Sequence, residues 1–128
     1  MLHRKHYTLS EAREMLIIIL PGLKRIVELK KQLDERGYDI YRHAYFGGIG
    51  PNGTGKFPPE MEELVAVVKD FAVKGILIKD INIGLIDFPH LRDNGEEVYL
   101  CYLLGETSIQ YWHTIDGGFT GRLSTDNL

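Results

Sequence analysis

The side chains best able to do chemistry in this 128-residue chain gather in its last third: Asp87, Arg92, Asp93, Cys101, Glu106, Trp112, His113, Asp116 and Arg122. Cys101, Glu106, His113 and Asp116 offer sulfur, nitrogen and oxygen donors, the ligand types of zinc and similar divalent cations, and Asp87 is a further oxygen donor. A cation held there lowers the pKa of a bound water to ~7 and makes a nucleophile for hydrolysis. The spacing matches no standard metal motif. In the competing reading each group serves the fold alone. His113 and Trp112 then cap a core, Arg92 and Arg122 pair with carboxylates, and Cys101 is a small buried apolar residue. The distance from the His113 ring to the Cys101 sulfur decides between them, since beyond ~5 Å the two cannot share a zinc ion. Gly117-Gly118-Phe119-Thr120-Gly121-Arg122 adds the ingredients of an anion nest, with tight turning before a frayed tail as the alternative.

Two other stretches invite a functional reading. Gly50-Pro51-Asn52-Gly53-Thr54-Gly55-Lys56 satisfies the glycine and lysine spacing of a phosphate-binding loop. Phe57 stands where the magnesium-binding hydroxyl belongs, and Pro58-Pro59 separates the lysine from the next helix, so a Gly-rich connection is the better reading and a nucleotide is not expected. Tyr38 to Phe46 interleaves aromatics with Arg42 and His43, as stacking platforms for single strands do, and Tyr41–Phe46 has the look of a strand. Net acidity and the lack of a basic stripe argue against nucleic acid.

These groups are positioned by two helices and a set of short strands. Thr8-Leu9-Ser10-Glu11 is a capping box, and Leu9, Ala12, Leu16, Ile19, Leu23, Ile26 and Leu33 follow at three-four spacing, with Lys30 the one lapse and Gly37 the stop. Pro21 inside this pattern predicts a kink or a split into two helices sharing one stripe. Pro58-Pro59 opens a second helix, with Met61, Leu64, Val68 and Phe71 inward and Gly75 as its end. From Ile76 the period becomes strand-like, and Asp93-Asn94-Gly95 and Gly105-Glu106 mark turns. The expected class is α+β: a helical hairpin over about 8–75, an antiparallel meander of three or four strands over about 76–116, and a C-terminal tail at 117–128, all in a single domain. A first stripe longer than the second helix can cover predicts a homo-oligomer built on Leu9, Leu16, Ile19, Leu23, Ile26 and Leu33.

Composition narrows the setting. Hydrophobic content of 44% and charged content of 26% fit a globular chain. The longest apolar run, Met15 to Leu20, is far short of a membrane span. A single cysteine cannot close an internal disulfide, and no leader pattern opens the chain, so a reducing cytoplasm is expected. The net charge of −3 is unevenly spread, from +3 over residues 1–36 to −5 over residues 79–128.

The series Thr8-Leu9-Ser10-Glu11-Ala12, Gly84-Leu85-Ile86-Asp87-Phe88-Pro89, Arg92-Asp93, Val98-Tyr99-Leu100-Cys101-Tyr102, Leu104-Gly105-Glu106, Tyr111-Trp112-His113 and Gly118-Phe119-Thr120-Gly121-Arg122 resembles an uncharacterised prokaryotic family, the domain of unknown function DUF2203. The resemblance covers the first helix and the chain after Ile76. Tyr102 stands where many members have tryptophan, Gly117 where an acidic residue is usual, and Gly50–Lys56 resembles an insertion. It implies a small cytoplasmic bacterial or archaeal protein and brings no established activity, cofactor or catalytic residue. Two readings follow: an oligomerising interaction module, or a divalent-metal-binding or hydrolytic protein built on the C-terminal cluster.

Overall fold

The computed structural model describes residues 1–46 and 58–128. The Gly50–Lys56 loop lies outside the described residues. Helix α1 runs from Leu9 to Glu35, and both halves of its capping box form: the Glu11 amide donates to the Thr8 hydroxyl, and Glu11 accepts from the Thr8 amide. Helix α2 spans Pro59–Val73. Each helix ends on a glycine with positive φ, Gly37 at 71° and Gly75 at 75°. There the next amides return to the last turn, Tyr38 to the Leu33 carbonyl and Ile76 to the Phe71 carbonyl.

Pro21 does not split α1, which is helical without a break from Leu9 to Glu35. A proline there removes the bond to the carbonyl four residues earlier, that of Ile17. Pro21 and Ile17 both lie on the exposed side of the helix, where water can take that carbonyl. Lys30, the lapse in the stripe, is nevertheless buried: its stem fills the stripe position and its ammonium reaches Asp34 one turn on.

The helices run antiparallel. Arg36 pairs with Glu60, Arg25 with Glu63, and Gly22 lies against Val67 and Phe71. Five strands follow: β1 Leu77–Asp80, β2 Leu85–Leu91, β3 Glu97–Leu103, β4 Tyr111–Thr114 and β5 Leu123–Ser124. They form one antiparallel sheet in the order β1-β2-β3-β4-β5, a meander one strand longer than the upper expectation. The added strand lies in the segment expected to be a frayed tail, and Trp112 Nε1 donates to the Ser124 carbonyl at 3.0 Å. The Tyr41–Phe46 strand does not form. Two short 3-10 turns, Ile40–Arg42 and Ala44–Phe46, occupy that stretch, set by the Asp39 carboxylate accepting from the Tyr41 amide.

Alternation along the strands gives the sheet two unlike faces. Ile86, Phe88, Val98, Leu100, Tyr102 and Trp112 join Leu16, Ile19, Leu23, Ile26, Leu33 and the α2 residues in one core. Most of the stripe expected to meet another copy is therefore covered within the chain. Leu23, Ile26 and Leu33 are fully buried, Leu16 and Ile19 nearly so, and Leu9 is partly buried against the same core. The reach of the stripe beyond α2 has a simple reason: the sheet covers what α2 does not.

Pro89 sits inside β2 without breaking it. Its position lies beyond the end of β1, on the open edge of β2, so no ladder bond is lost. The Tyr7 amide fills that edge, donating to the Pro89 carbonyl at 2.7 Å. Because the stripe is core, Leu23→Ala should cost about 2–5 kcal/mol of unfolding free energy, read from the urea midpoint at unchanged slope.

Candidate functional site

The outward face of the sheet holds the chemistry. Asp87 on β2 is directly opposite Cys101 on β3, and His113 on β4 is opposite Tyr99, two residues along the same face. Asp87 is 1% exposed, Cys101 0% and His113 3%. One donor atom from each lies within 4.8 Å of the other two. His113 Nε2 is 3.1 Å from both Asp87 carboxylate oxygens, and His113 Nδ1 is 2.7 Å from the Thr114 carbonyl. With acceptors on both sides of the ring, both nitrogens donate in the imidazolium form.

The electrostatics follow from burial and these contacts. Burial alone would favour the neutral imidazole, but the hydrogen bonds to Asp87 and Thr114 outweigh it and raise the His113 pKa. Burial, reinforced by the Asp87 carboxylate, pushes the Cys101 thiol up to about 12 against a smaller opposing pull from Arg122. This cysteine keeps its proton and is no ready nucleophile.

Polar and aromatic groups cover the cluster. His3 Nε2 bonds the Tyr99 hydroxyl at 2.6 Å, and Lys79 Nζ lies 4.9 Å from the centre of the Tyr99 ring. The Arg122 guanidinium stacks 4.0 Å from the Tyr111 ring and 4.8 Å from the Phe119 ring, while Nη2 donates to Glu106 Oε1 at 2.6 Å. Glu97 holds the N-terminal segment in place: it accepts from the Leu2 amide at 2.7 Å, the His3 amide at 3.1 Å and His6 Nε2 at 2.6 Å.

The sequence grouping is thus partly redrawn. Cys101 and His113 come together as metal-ligand candidates, and Asp87 completes the set. Glu106 does not belong to it; its carboxylate is taken by Arg122 and by the Leu103 amide. Asp116 lies exposed in the turn after β4, and Asp93 is exposed in the β2–β3 turn. Trp112 faces the helices, with the Arg92 guanidinium 4.7 Å from its ring and paired to Glu96. Within the supposed nest, Phe119–Gly121 forms a 3-10 turn that places Arg122.

Tyr99, Lys79, His3 and Glu97 were not singled out by the sequence. The signal for the central pair was present: Asp87 and Cys101 are equidistant from Asn94, so a hairpin turning at Asn94 must set them side by side.

Comparison with known proteins adds one result. The family described as "Uncharacterized conserved protein (DUF2203)" matches residues 5–124. The chain belongs to this family. The match takes in the helical segment, the whole meander and every residue of the cluster. No curated protein and no solved structure matches the chain. No helix among the described residues is long and apolar enough to cross a membrane.

Glu97 supplies a pH test of the cover. Burial opposes ionisation, but the bonds from His6 and from the Leu2 and His3 amides overcome it and hold the carboxyl down to about 2, from an ordinary 4.5. A depressed folded-state value means that the stabilisation is complete above 4.5 and lost as pH falls toward 2. The protection of the Leu2 and His3 amides, measured against their intrinsic exchange rates at each pH, should fall over that window, and Glu97→Gln should abolish that fall.

Proposed function

We propose that this protein binds one divalent cation of the zinc class through Asp87, Cys101 and His113. The observation that carries the reading is the convergence of three buried donors of different type, one oxygen, one sulfur and one nitrogen, within 4.8 Å of one another. Mixed sulfur, nitrogen and oxygen donors suit zinc and similar borderline ions better than magnesium or calcium, which take oxygen. The outer groups fit as well. A ligating histidine generally donates its second ring N–H to a carbonyl or carboxylate, and His113 Nδ1 already faces the Thr114 carbonyl.

Cation binding would displace two protons, the one between His113 and Asp87 and the one on Cys101. The positive charge needed to hold a buried thiolate would then come from the ion. Three protein ligands leave a fourth position for water, but the near-complete burial of the donors supports a retained ion over an open hydrolytic centre.

Dialysis of untagged protein against zinc, followed by elemental analysis, should give one ion per chain. Cobalt should produce the near-ultraviolet absorption of a cobalt–thiolate bond. Cys101→Ser and His113→Gln should lose the ion while keeping the far-ultraviolet circular dichroism of the fold. Glu106→Gln and Asp116→Asn should keep it, because neither side chain joins the donor set. Sub-stoichiometric zinc in the wild type, or zinc retained in both Cys101→Ser and His113→Gln, overturns the proposal.

A further inference from the structure

An ion that ends among Asp87, Cys101 and His113 has to pass what covers them, because these donors are 1%, 0% and 3% exposed. Two segments contribute to that cover, residues 2–6 on the Tyr99 side and the turn carrying Arg122 on the Tyr111 side. We propose that residues 2–6 and the Tyr99 ring form a latched gate that controls access to Cys101 and His113, and with it the rate at which a zinc-class cation enters and leaves. The gate rests on the cation reading above and adds its regulation: the latch sets the speed of exchange, and the donors set the affinity.

The fastenings select this segment over the other. Residues 2–6 form neither helix nor strand, and among the described residues they make no backbone-to-backbone hydrogen bond. Their hydrogen bonds go to two side chains. The Glu97 carboxylate takes the Leu2 amide, the His3 amide and His6 Nε2, and the Tyr99 hydroxyl meets His3 Nε2. Tyr7 follows as a fixed pivot: it is buried, its amide donates to the Pro89 carbonyl and its hydroxyl to the Lys74 carbonyl. The Arg122 turn, in contrast, runs directly into β5, whose Leu123 and Ser124 pair with Trp112 and Tyr111 on β4. Lifting that turn breaks the sheet, whereas lifting residues 2–6 breaks only bonds to side chains, so the second opening is the cheaper one.

Tyr99 connects the latch to the site. Its ring lies 5.5 Å from the His113 ring, opposite it across β3 and β4, and 5.4 Å edge-on from the His3 ring. When residues 2–6 lift, the hydroxyl loses its partner and the ring loses the wall that holds it beside His113. Lys79, whose ammonium lies over the same ring, is exposed and gives way with it.

Cys101 is the single cysteine, so its alkylation in metal-free protein reports opening whether or not an ion binds. Iodoacetamide should label the wild type slowly, at a rate nearly flat in low urea, as local rather than global opening requires. Glu97→Gln leaves one acceptor oxygen for three donors and should speed labelling about tenfold or more, with far-ultraviolet circular dichroism unchanged. His3→Ala should speed it severalfold, while Glu106→Ala, which frees Arg122, should change it less than about twofold. Cobalt uptake and chelator-driven release, followed at the cobalt–thiolate band, should quicken by the same factor in Glu97→Gln at an unchanged dissociation constant. Labelling at the wild-type rate in both Glu97→Gln and His3→Ala overturns the gate, and so does faster labelling in Glu106→Ala than in Glu97→Gln. Cobalt bound by no form of the protein, with labelling quickened in Glu97→Gln, overturns the cation reading and upholds the gate.

Discussion

A pleated strand projects its side chains alternately to both faces of a sheet, and among the described residues the two α-helices cover only one of them. Everything else in the structure answers that constraint. Strands β2 and β3 are buried through their middles and β4 at Trp112 and His113, so their outward residues also need a cover, and no α-helix among the described residues supplies it. Chain segments from both ends do so instead: residues 2–6, fastened by Glu97, and the turn carrying Arg122, fastened by Glu106. The first segment brings His3, Arg4, Lys5 and His6 and the second brings Arg122, so the second layer has a polar lining where the first is apolar. The burial of Asp87, Cys101 and His113 is a product of that arrangement.

Burying a carboxylate is costly unless its charge is compensated and its oxygens are bonded. His113 meets both conditions, with Nε2 facing both Asp87 oxygens and Nδ1 anchored on a backbone carbonyl. The Cys101 sulfur beside them adds a soft donor to a hard one and an intermediate one. An apolar sheet face would be covered as well by three valines. Three buried donors that converge on one another, with His113 anchored on the Thr114 carbonyl, are what distinguish this face from ordinary packing.

Much of the fold was legible because its signals are local. The Thr8–Glu11 capping box, the glycine stops at Gly37 and Gly75, the double proline opening α2 and the change of period at Ile76 each act within a few residues, and each appears where the sequence places it. What stayed hidden depends on register or on distant chain. Glu106 and Asp116 carry the right chemistry near the right residues, but they lie in connections, where sequence proximity does not fix direction. Tyr99 reads as one aromatic among several until the strand pairing sets it beside His113. The reach of α1 beyond α2 was legible as well, but its consequence was not, because the sheet that covers the excess shares no periodicity with the helix.

The long helix also sets an order of assembly. Its C-terminal half packs on α2, a few tens of residues away, as Arg36 on Glu60 shows. Its N-terminal half is fastened to chain nearly a hundred residues downstream, as Arg13 on the Ile109 carbonyl shows. Closing the long loop costs more chain entropy, and the sheet must exist before its contacts repay that cost. The helical pair is thus the cheaper first event, and the outward layer, which ties the extreme ends of the chain to β3 and β4, is the last to close. The cluster of Asp87, Cys101 and His113 is assembled by the pairing of β2, β3 and β4, and this final step is what shuts it away from water.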